Sequence, residues 1–188
     1  MSTTDTATSA STPADVASTD APTVQVFRVY IKAPAQRVWD AIVDPAWNGR
    51  YGYGAPSTFD LRPGGPFRST PGDAMRAGAE QMGYALPDVV VDGEVVESDP
   101  PRRLVQTWRM VMNEDAAKEP FTRLTYEIVD AEGGLSCLTL THELTGAPQT
   151  ADMVRGSAEA KMGSGGWAWV LSDLKTLLET GSSFTAGS

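Results

Sequence analysis

The chain has 188 residues, of which 41% are hydrophobic and 21% are charged, a balance typical of one globular domain. Its net charge of −9 disfavours nucleic acid as a partner, and it has no apolar run of the roughly 18 residues needed for membrane insertion. Cys137 is the only cysteine and His142 the only histidine, which excludes an intramolecular disulfide and a cysteine-rich or paired-histidine metal site. We therefore expect no metal and no other cofactor.

The N-terminal segment, residues 1–22, consists almost entirely of Ser, Thr, Ala, Asp and Pro, with Val16 as its only branched aliphatic residue. Such a segment cannot bury enough apolar surface to fold, and it predicts a disordered tail. The first basic residue is Arg28, so a secretory signal is unsupported and a cytoplasmic location is expected. Residues 23–181 predict a single domain, and residues 182–188 a disordered C-terminal tail.

The first folded elements are a strand and two short helices. Alternation over 24–32 predicts a strand whose inner side carries Gln25, Phe27, Val29 and Ile31. Pro34 is suited to open a helix, in which apolar residues recur at helical spacing until Asp44 and Pro45. A second short helix is expected over 45–50.

The middle of the chain predicts an antiparallel meander. A hairpin over 57–68 turns at Pro63-Gly64-Gly65-Pro66, and residues 70–87, which show no clear period, favour a mobile insertion with a short helix. Alternating segments predict four further strands, at 89–98, 102–112, 121–130 and 135–143. One-sided alternation indicates that one face of the sheet is covered and the other is solvated.

The end of the chain predicts a long amphipathic helix, and a second helical segment at 152–162 precedes it. Gly181 stands where a C-terminal cap belongs, and Gly163-Ser164-Gly165-Gly166 weakens the register between the two helical segments. The apolar stripe of the last helix consists of Trp167, Val170, Leu171, Leu174, Leu177 and Leu178.

Several segments in this order resemble the START-like helix-grip (SRPBCC) superfamily, in the branch homologous to the C-terminal domain of the activator of the 90-kDa heat-shock protein ATPase. They lie at 38–45, 59–68, 99–109, 138–143 and 166–179. The resemblance implies an α+β helix-grip fold, in which a curved antiparallel β-sheet wraps around a long C-terminal α-helix and two short helices follow the first strand. It also implies a cavity between sheet and helix.

Two departures from the family pattern lie where that cavity opens. Residues 47–54 replace the tryptophan-rich segment that is common in the family, and the insertion at 70–87 is longer than expected. The resemblance therefore implies a fold and a cavity without identifying a ligand.

The candidate ligand-binding residues come from the inward sets of the strands and from segments near the cavity mouth. Alternation points Gln106, Trp108 and Met110 inward, as it does Tyr126 and His142. The polar members either bond each other and the backbone or orient a ligand oxygen. Met110 and Met162 suit an adaptable pocket or fill gaps. The remaining candidates are Trp47, Tyr51 and Tyr53, which predict either a lid or a surface loop, and Trp167.

Three functions are compatible with these residues. The first is binding of an apolar or aromatic small molecule, as a carrier, a sensor or in a stress-related role. The second is a cyclase- or hydratase-like reaction in the same cavity, with His142 as acid or base and Tyr126 as its partner. The third is a co-chaperone-like interaction module, for which chaperone contact rests on family analogy alone. No motif for a nucleophilic triad, a phosphate loop or a dinucleotide site is present, so no catalytic residue is assigned.

Overall fold

The computed structural model describes residues 23–157 and 165–185. In this part of the chain seven antiparallel strands form one curved sheet, in the order first, seventh, sixth, fifth, fourth, third, second. The last strand therefore pairs with the first, and the others follow as a meander. The strands are β1 (Val24–Ile31), β2 (Ser57–Phe59), β3 (Pro66–Ser69), β4 (Val91–Asp99), β5 (Arg103–Met110), β6 (Thr122–Ala131) and β7 (Leu135–Glu143).

The helices of the described residues lie mostly between the strands, and the longest follows the sheet. Asp44 caps the second helix because its Oδ1 accepts the Ala46 N–H at 2.9 Å, and Pro45 occupies the first turn. No described helix has both the length and the apolar content to cross a bilayer. The helices are α1 (Ala35–Val43), α2 (Pro45–Asn48), α3 (Asp73–Gln81), α4 (Glu114–Ala117), α5 (Pro148–Arg155) and α6 (Gly166–Thr180), with a 3₁₀ turn at Glu132–Gly134.

Helix α6 packs beside β1, the edge strand of the sheet. It ends as predicted, since Gly181 has φ of 85° and its N–H donates to the Leu177 carbonyl at 2.9 Å. Its side chains also bond the free edge of β1: Lys175 Nζ donates to the Tyr30 carbonyl, and Glu179 accepts the Lys32 N–H, each at 2.7 Å. These bonds satisfy edge groups that would otherwise be open to another strand. The predicted helix-grip fold is confirmed.

The alternation of the strands predicts the inner face well. On β7, Leu138, Leu140 and His142 are all 0% exposed, while their sequence neighbours are more accessible. On β5 the inner set is buried as predicted, but Val105, which alternation places on the outer side, is also 0% exposed. Val105 pairs with Glu97 next to an irregularity in the pairing of β4 with β5, so the simple alternation does not hold there.

Two segments differ from the sequence predictions, whereas the insertion at 70–87 contains the short helix that was predicted there. That helix is α3, and its Ala79 is buried. The helix predicted at 152–162 begins earlier, at Pro148, and ends at Arg155, because Gly156 takes φ of 69°. Residues 156 and 157 are not helical, and residues 158–162 of that prediction lie outside the described residues, as do 1–22 and the end of the C-terminal tail. Packed structure continues past Gly181, since Ser183 is buried.

Candidate functional site

The register of β5, β6 and β7 places two polar side chains next to each other on the inner face. Gln106 lies opposite Leu124, and Leu104 lies opposite Tyr126. Gln106 and Tyr126 are therefore diagonal neighbours on adjacent strands, a relationship that puts backbone positions about 7–8 Å apart and lets long side chains meet. Both residues belong to the predicted set, and the register places them on the same face of adjacent strands.

Gln106 is a buried carboxamide whose oxygen has no partner among the described residues. The residue is 1% exposed, and its buried Oε1 accepts no hydrogen bond from any of them. A buried polar group left unpaired costs about 1–3 kcal/mol of folding free energy. Since a carboxamide has both donor and acceptor atoms, Gln106 offers a bonding position for a molecule on this face.

Tyr126 is more exposed than the residues opposite it on the neighbouring strands. Its neighbours Leu104 and Leu140 are both 0% exposed, yet Tyr126 is only half-buried. Its hydroxyl makes no hydrogen bond with any residue that the structure describes. Burial, with a smaller contribution from Tyr51, raises the pKa of the Tyr126 phenol, so the group is neutral at physiological pH. Tyr126 thus packs against the core and keeps part of its surface accessible.

His142, by contrast, is fully engaged by protein groups. Thr122 Oγ1 donates to the Trp108 carbonyl at 2.7 Å, so it must accept from His142 Nε2, which lies at 2.8 Å. Trp167 Nε1–H donates to His142 Nδ1 at 3.1 Å, and indole nitrogen is only a donor. These contacts select the neutral tautomer with the proton on Nε2. Burial lowers the pKa of His142 to about 3.

The imidazole of His142 also belongs to an aromatic cluster at one end of the inner face. Its ring centroid lies 5.2 Å from that of Trp108 and 6.0 Å from that of Trp167, both in edge-to-face arrangements. The two indole rings are 6.3 Å apart. Such contacts favour a rigid wall. Trp108, His142 and Trp167 are thus close together, and together they fix the start of α6 against β5 and β7.

The three aromatic residues predicted as a lid have separate anchors. Tyr51 donates its hydroxyl to the Ala41 carbonyl at 3.2 Å, and Tyr53 Oη accepts the Gly166 N–H at 2.8 Å. Burial, with a smaller contribution from Asp173, raises the pKa of the Tyr51 phenol. Tyr51 and Tyr53 therefore connect the 51–53 loop to α1 and to the start of α6.

Trp47 is half-buried and contacts two arginine side chains. The guanidinium carbons of Arg37 and Arg50 lie 4.2 and 4.6 Å from its ring centroid. Neither arginine forms an ion pair with a carboxylate among the described residues. One part of Trp47 thus packs against the core, while its ring also contacts two arginine side chains.

The remaining two candidates do not join the pair of polar residues. Met110 is buried at 8% exposure, but it is four residues along β5 from Gln106, a separation of roughly 13 Å in an extended strand. Met162 lies outside the described residues.

Two surface depressions, of about 320 and 240 Å³, flank the exposed Phe121, and neither is lined by Gln106 or Tyr126.

Asp173 is an important residue that the sequence analysis did not single out. It is 0% exposed, and its carboxylate accepts four hydrogen bonds from two separate segments. The donors are the N–H groups of Gly52 and Phe184, each at 2.8 Å, and the hydroxyls of Ser183 and Thr185, at 2.7 and 3.2 Å. A sequence signal was present, because a carboxylate within the apolar stripe of a helix must find partners.

A known protein family matches most of the chain. The matching family is described as "Activator of Hsp90 ATPase homolog 1-like protein", and the match covers residues 32–179. No curated protein is significantly similar in sequence.

Solved structures with similar folds have low sequence identity. A protein encoded by gene BPP1335 of Bordetella parapertussis has a TM-score of 0.58 at 23% identity, over 84% of this chain and 75% of that chain. DynU16, from the dynemicin biosynthetic locus, has a TM-score of 0.59 at 20% identity, over 86% of this chain but 49% of that chain.

A third similar structure is PFC0360w, an Hsp90 activator from Plasmodium falciparum. It has a TM-score of 0.50 at 18% identity, over 83% of this chain and 87% of that chain. The chain also spans 59% of the crystal structure of CalU16 from Micromonospora echinospora. The similarities to BPP1335, DynU16 and PFC0360w support the helix-grip fold, and the family match confirms the resemblance found in the sequence. The chain belongs to the family of Activator of Hsp90 ATPase homolog 1-like proteins.

Proposed function

We propose that this protein binds an apolar small molecule between the inner face of the sheet and α6, as a carrier or sensor acting in the cytoplasm. Gln106 and Tyr126 bond the polar group of that molecule, and the surrounding leucines and aromatic rings contact its apolar part. The observation that carries the proposal is the unpartnered carboxamide of Gln106, which is 1% exposed. A bound ligand would satisfy it and remove the cost of leaving it unpaired.

The environment of His142 argues against the enzymatic alternative. A cyclase or hydratase that used this residue as an acid would need its imidazolium form. Protonation of Nδ1 would place two N–H groups against each other, because Trp167 already donates to that nitrogen. The arrangement therefore suits a fixed wall residue, and we assign His142 a structural role.

The first test is whether the protein contains or takes up a ligand. Protein purified from its own host is examined by native mass spectrometry, and emptied protein is titrated with the neutral dye Nile red. We expect a bound mass or saturable dye fluorescence. Protein that carries no additional mass and takes up no dye contradicts the proposal.

Variants locate the binding site. Gln106→Leu and Tyr126→Phe each remove one hydrogen-bonding group, and we expect each to weaken the binding of the host ligand about three- to tenfold, as the loss of one net hydrogen bond implies. The matched controls are Gln81→Leu, at an exposed position of α3, and Tyr30→Phe, at a position 53% exposed on β1. If the controls and the site variants bind equally well, the ligand lies elsewhere.

A chaperone contact is the second candidate function, and the surface around Trp47 favours it. Arg37 and Arg50 both stack on that ring while unpaired with any described carboxylate, which suits an acidic partner surface. The test measures the ATPase rate of a purified Hsp90 chaperone with and without the protein. Stimulation that is lost in the double variant Arg37→Ala/Arg50→Ala supports this function, and an unchanged rate with the wild-type protein contradicts it.

A further inference from the structure

The described interior contains very little charge. Its fully buried ionisable side chains are His142 and Asp173, and no lysine or arginine is buried among the described residues. His142 is neutral, because its two nitrogens bond Thr122 and Trp167 as a donor and an acceptor. Of the polar residues next to the proposed ligand position, Gln106 is an uncharged amide and Tyr126 an uncharged phenol.

Asp173 is the one buried carboxylate among the described residues, and it already has several partners. Oδ2 accepts from Gly52, Ser183 and Thr185, and Oδ1 accepts from Phe184. Four donors therefore already stabilise the carboxylate without an ammonium group. Its negative charge nevertheless acts on the interior, since it contributes to the raised pKa of Tyr51, and Tyr51 in turn acts on Tyr126.

These charges restrict the chemistry of a ligand. No described lysine or arginine is buried beside a ligand's carboxylate or phosphate, and an unpaired buried charge costs far more than a hydrogen-bonded neutral group. An ammonium group would have to pair with Asp173, whose carboxylate already accepts four hydrogen bonds. A neutral group with both a donor and an acceptor matches Gln106, which offers both, and Tyr126, whose hydroxyl can do either.

We infer that the ligand is electrically neutral and presents a donor and an acceptor together, as a carboxamide, a phenol or a hydroxyketone does, to Gln106 and Tyr126. The inference rests on the proposed function and narrows its ligand class. Anionic lipids such as free fatty acids are then poor ligands, although their hydrocarbon chains are as apolar as those of neutral ligands.

The test compares ligands that have one chain and different head groups. Decanamide, decanoate and decylamine compete with Nile red for the wild-type protein at pH 7.5. We expect decanamide to bind at least tenfold more tightly than decanoate or decylamine. Decanoate or decylamine binding as tightly as decanamide overturns the inference while leaving the proposed function intact. A protein that binds Nile red but none of the three also overturns the inference, whereas a failure to bind Nile red as well contradicts the proposed function itself.

A variant shows whether the preference arises at Gln106. Gln106→Leu should weaken decanamide binding about three- to tenfold and leave decanoate binding nearly unchanged, so that the preference contracts. Gln81→Leu, at an exposed position, should leave both affinities unchanged. A preference for decanamide that persists in full in Gln106→Leu overturns the assignment to this carboxamide.

Discussion

Replacing Gln106 by leucine should stabilise the ligand-free protein, although it removes a hydrogen-bonding group from the core. The carboxamide is 1% exposed and its Oε1 has no partner, so the folded state carries a desolvation cost of about 1–3 kcal/mol at this position. Leucine is similar in size and carries no polar atom, but its different shape costs up to about 1.5 kcal/mol. We expect a net gain of about 1 kcal/mol, which raises the melting temperature by roughly 2–4 °C in a domain of this size.

Gln25→Leu is the matched control for this prediction. Gln25 also has a buried Oε1 without a partner, but its Nε2 donates to the Ala151 carbonyl at 2.8 Å. Its replacement removes an existing bond, and the net change should be a loss of about 0.5–1.5 kcal/mol. Urea unfolding of ligand-free protein measures both variants. If Gln106→Leu unfolds at lower urea than the wild type, its carboxamide is bonded in the folded protein and the reasoning is wrong.

Three further predictions concern the groups around the site. His142 has a pKa of about 3, against 6.5 in the unfolded chain. Its neutral imidazole should therefore contribute stability that is complete above pH 6.5. Below pH 6.5 this contribution falls by about 1.4 kcal/mol per pH unit, because the unfolded chain takes up the proton first. A His142→Gln variant with the same pH dependence of unfolding as the wild type would refute this. Asp173→Asn should lower the free energy of unfolding, measured in urea, by about 2–3 kcal/mol. The control Asp152→Asn, at an exposed position, should lower it by less than about 0.5 kcal/mol. Equal losses in the two variants would count against the buried network. Gly52→Ala should lower the melting temperature more than Gly54→Ala, although both glycines have positive φ. A Cβ at Gly52 would lie 3.3 Å from a methyl of α6, whereas a Cβ at Gly54 would meet nothing within 4 Å. Equal shifts in melting temperature would contradict that contact.

The fold was largely predictable from the sequence because its strands alternate regularly. The inward positions of Leu138, Leu140 and His142 follow from a period of two on β7, and the cap at Gly181 follows from helix chemistry. Helix α5 was misplaced because the glycine that ends it, Gly156, gives the same weak signal as any other loop glycine.

The candidate site was predictable only in part, because bonding partners are a tertiary property. Alternation selects Gln106, Tyr126 and His142 equally, and the structure separates them: His142 has two protein partners, whereas the other two side chains have none in the described residues. The bonds of Asp173 join α6 to the loop at Gly52 and to Ser183, in a segment without periodicity. The position of Asp173 in an apolar stripe indicates that it needs partners, but local sequence does not identify those partners in either case.

The most direct test of the proposed site follows the side-chain amide of Gln106 by NMR during a titration with decanamide. In ¹⁵N-labelled protein the Gln106→Leu spectrum identifies the signal, and the amide of Gln25 is an internal reference. We predict that the Gln106 signal shifts saturably with ligand while the Gln25 signal, whose N–H group is bonded to Ala151, stays in place. Decanamide that binds without moving the Gln106 signal, or that does not bind at all, would contradict the account.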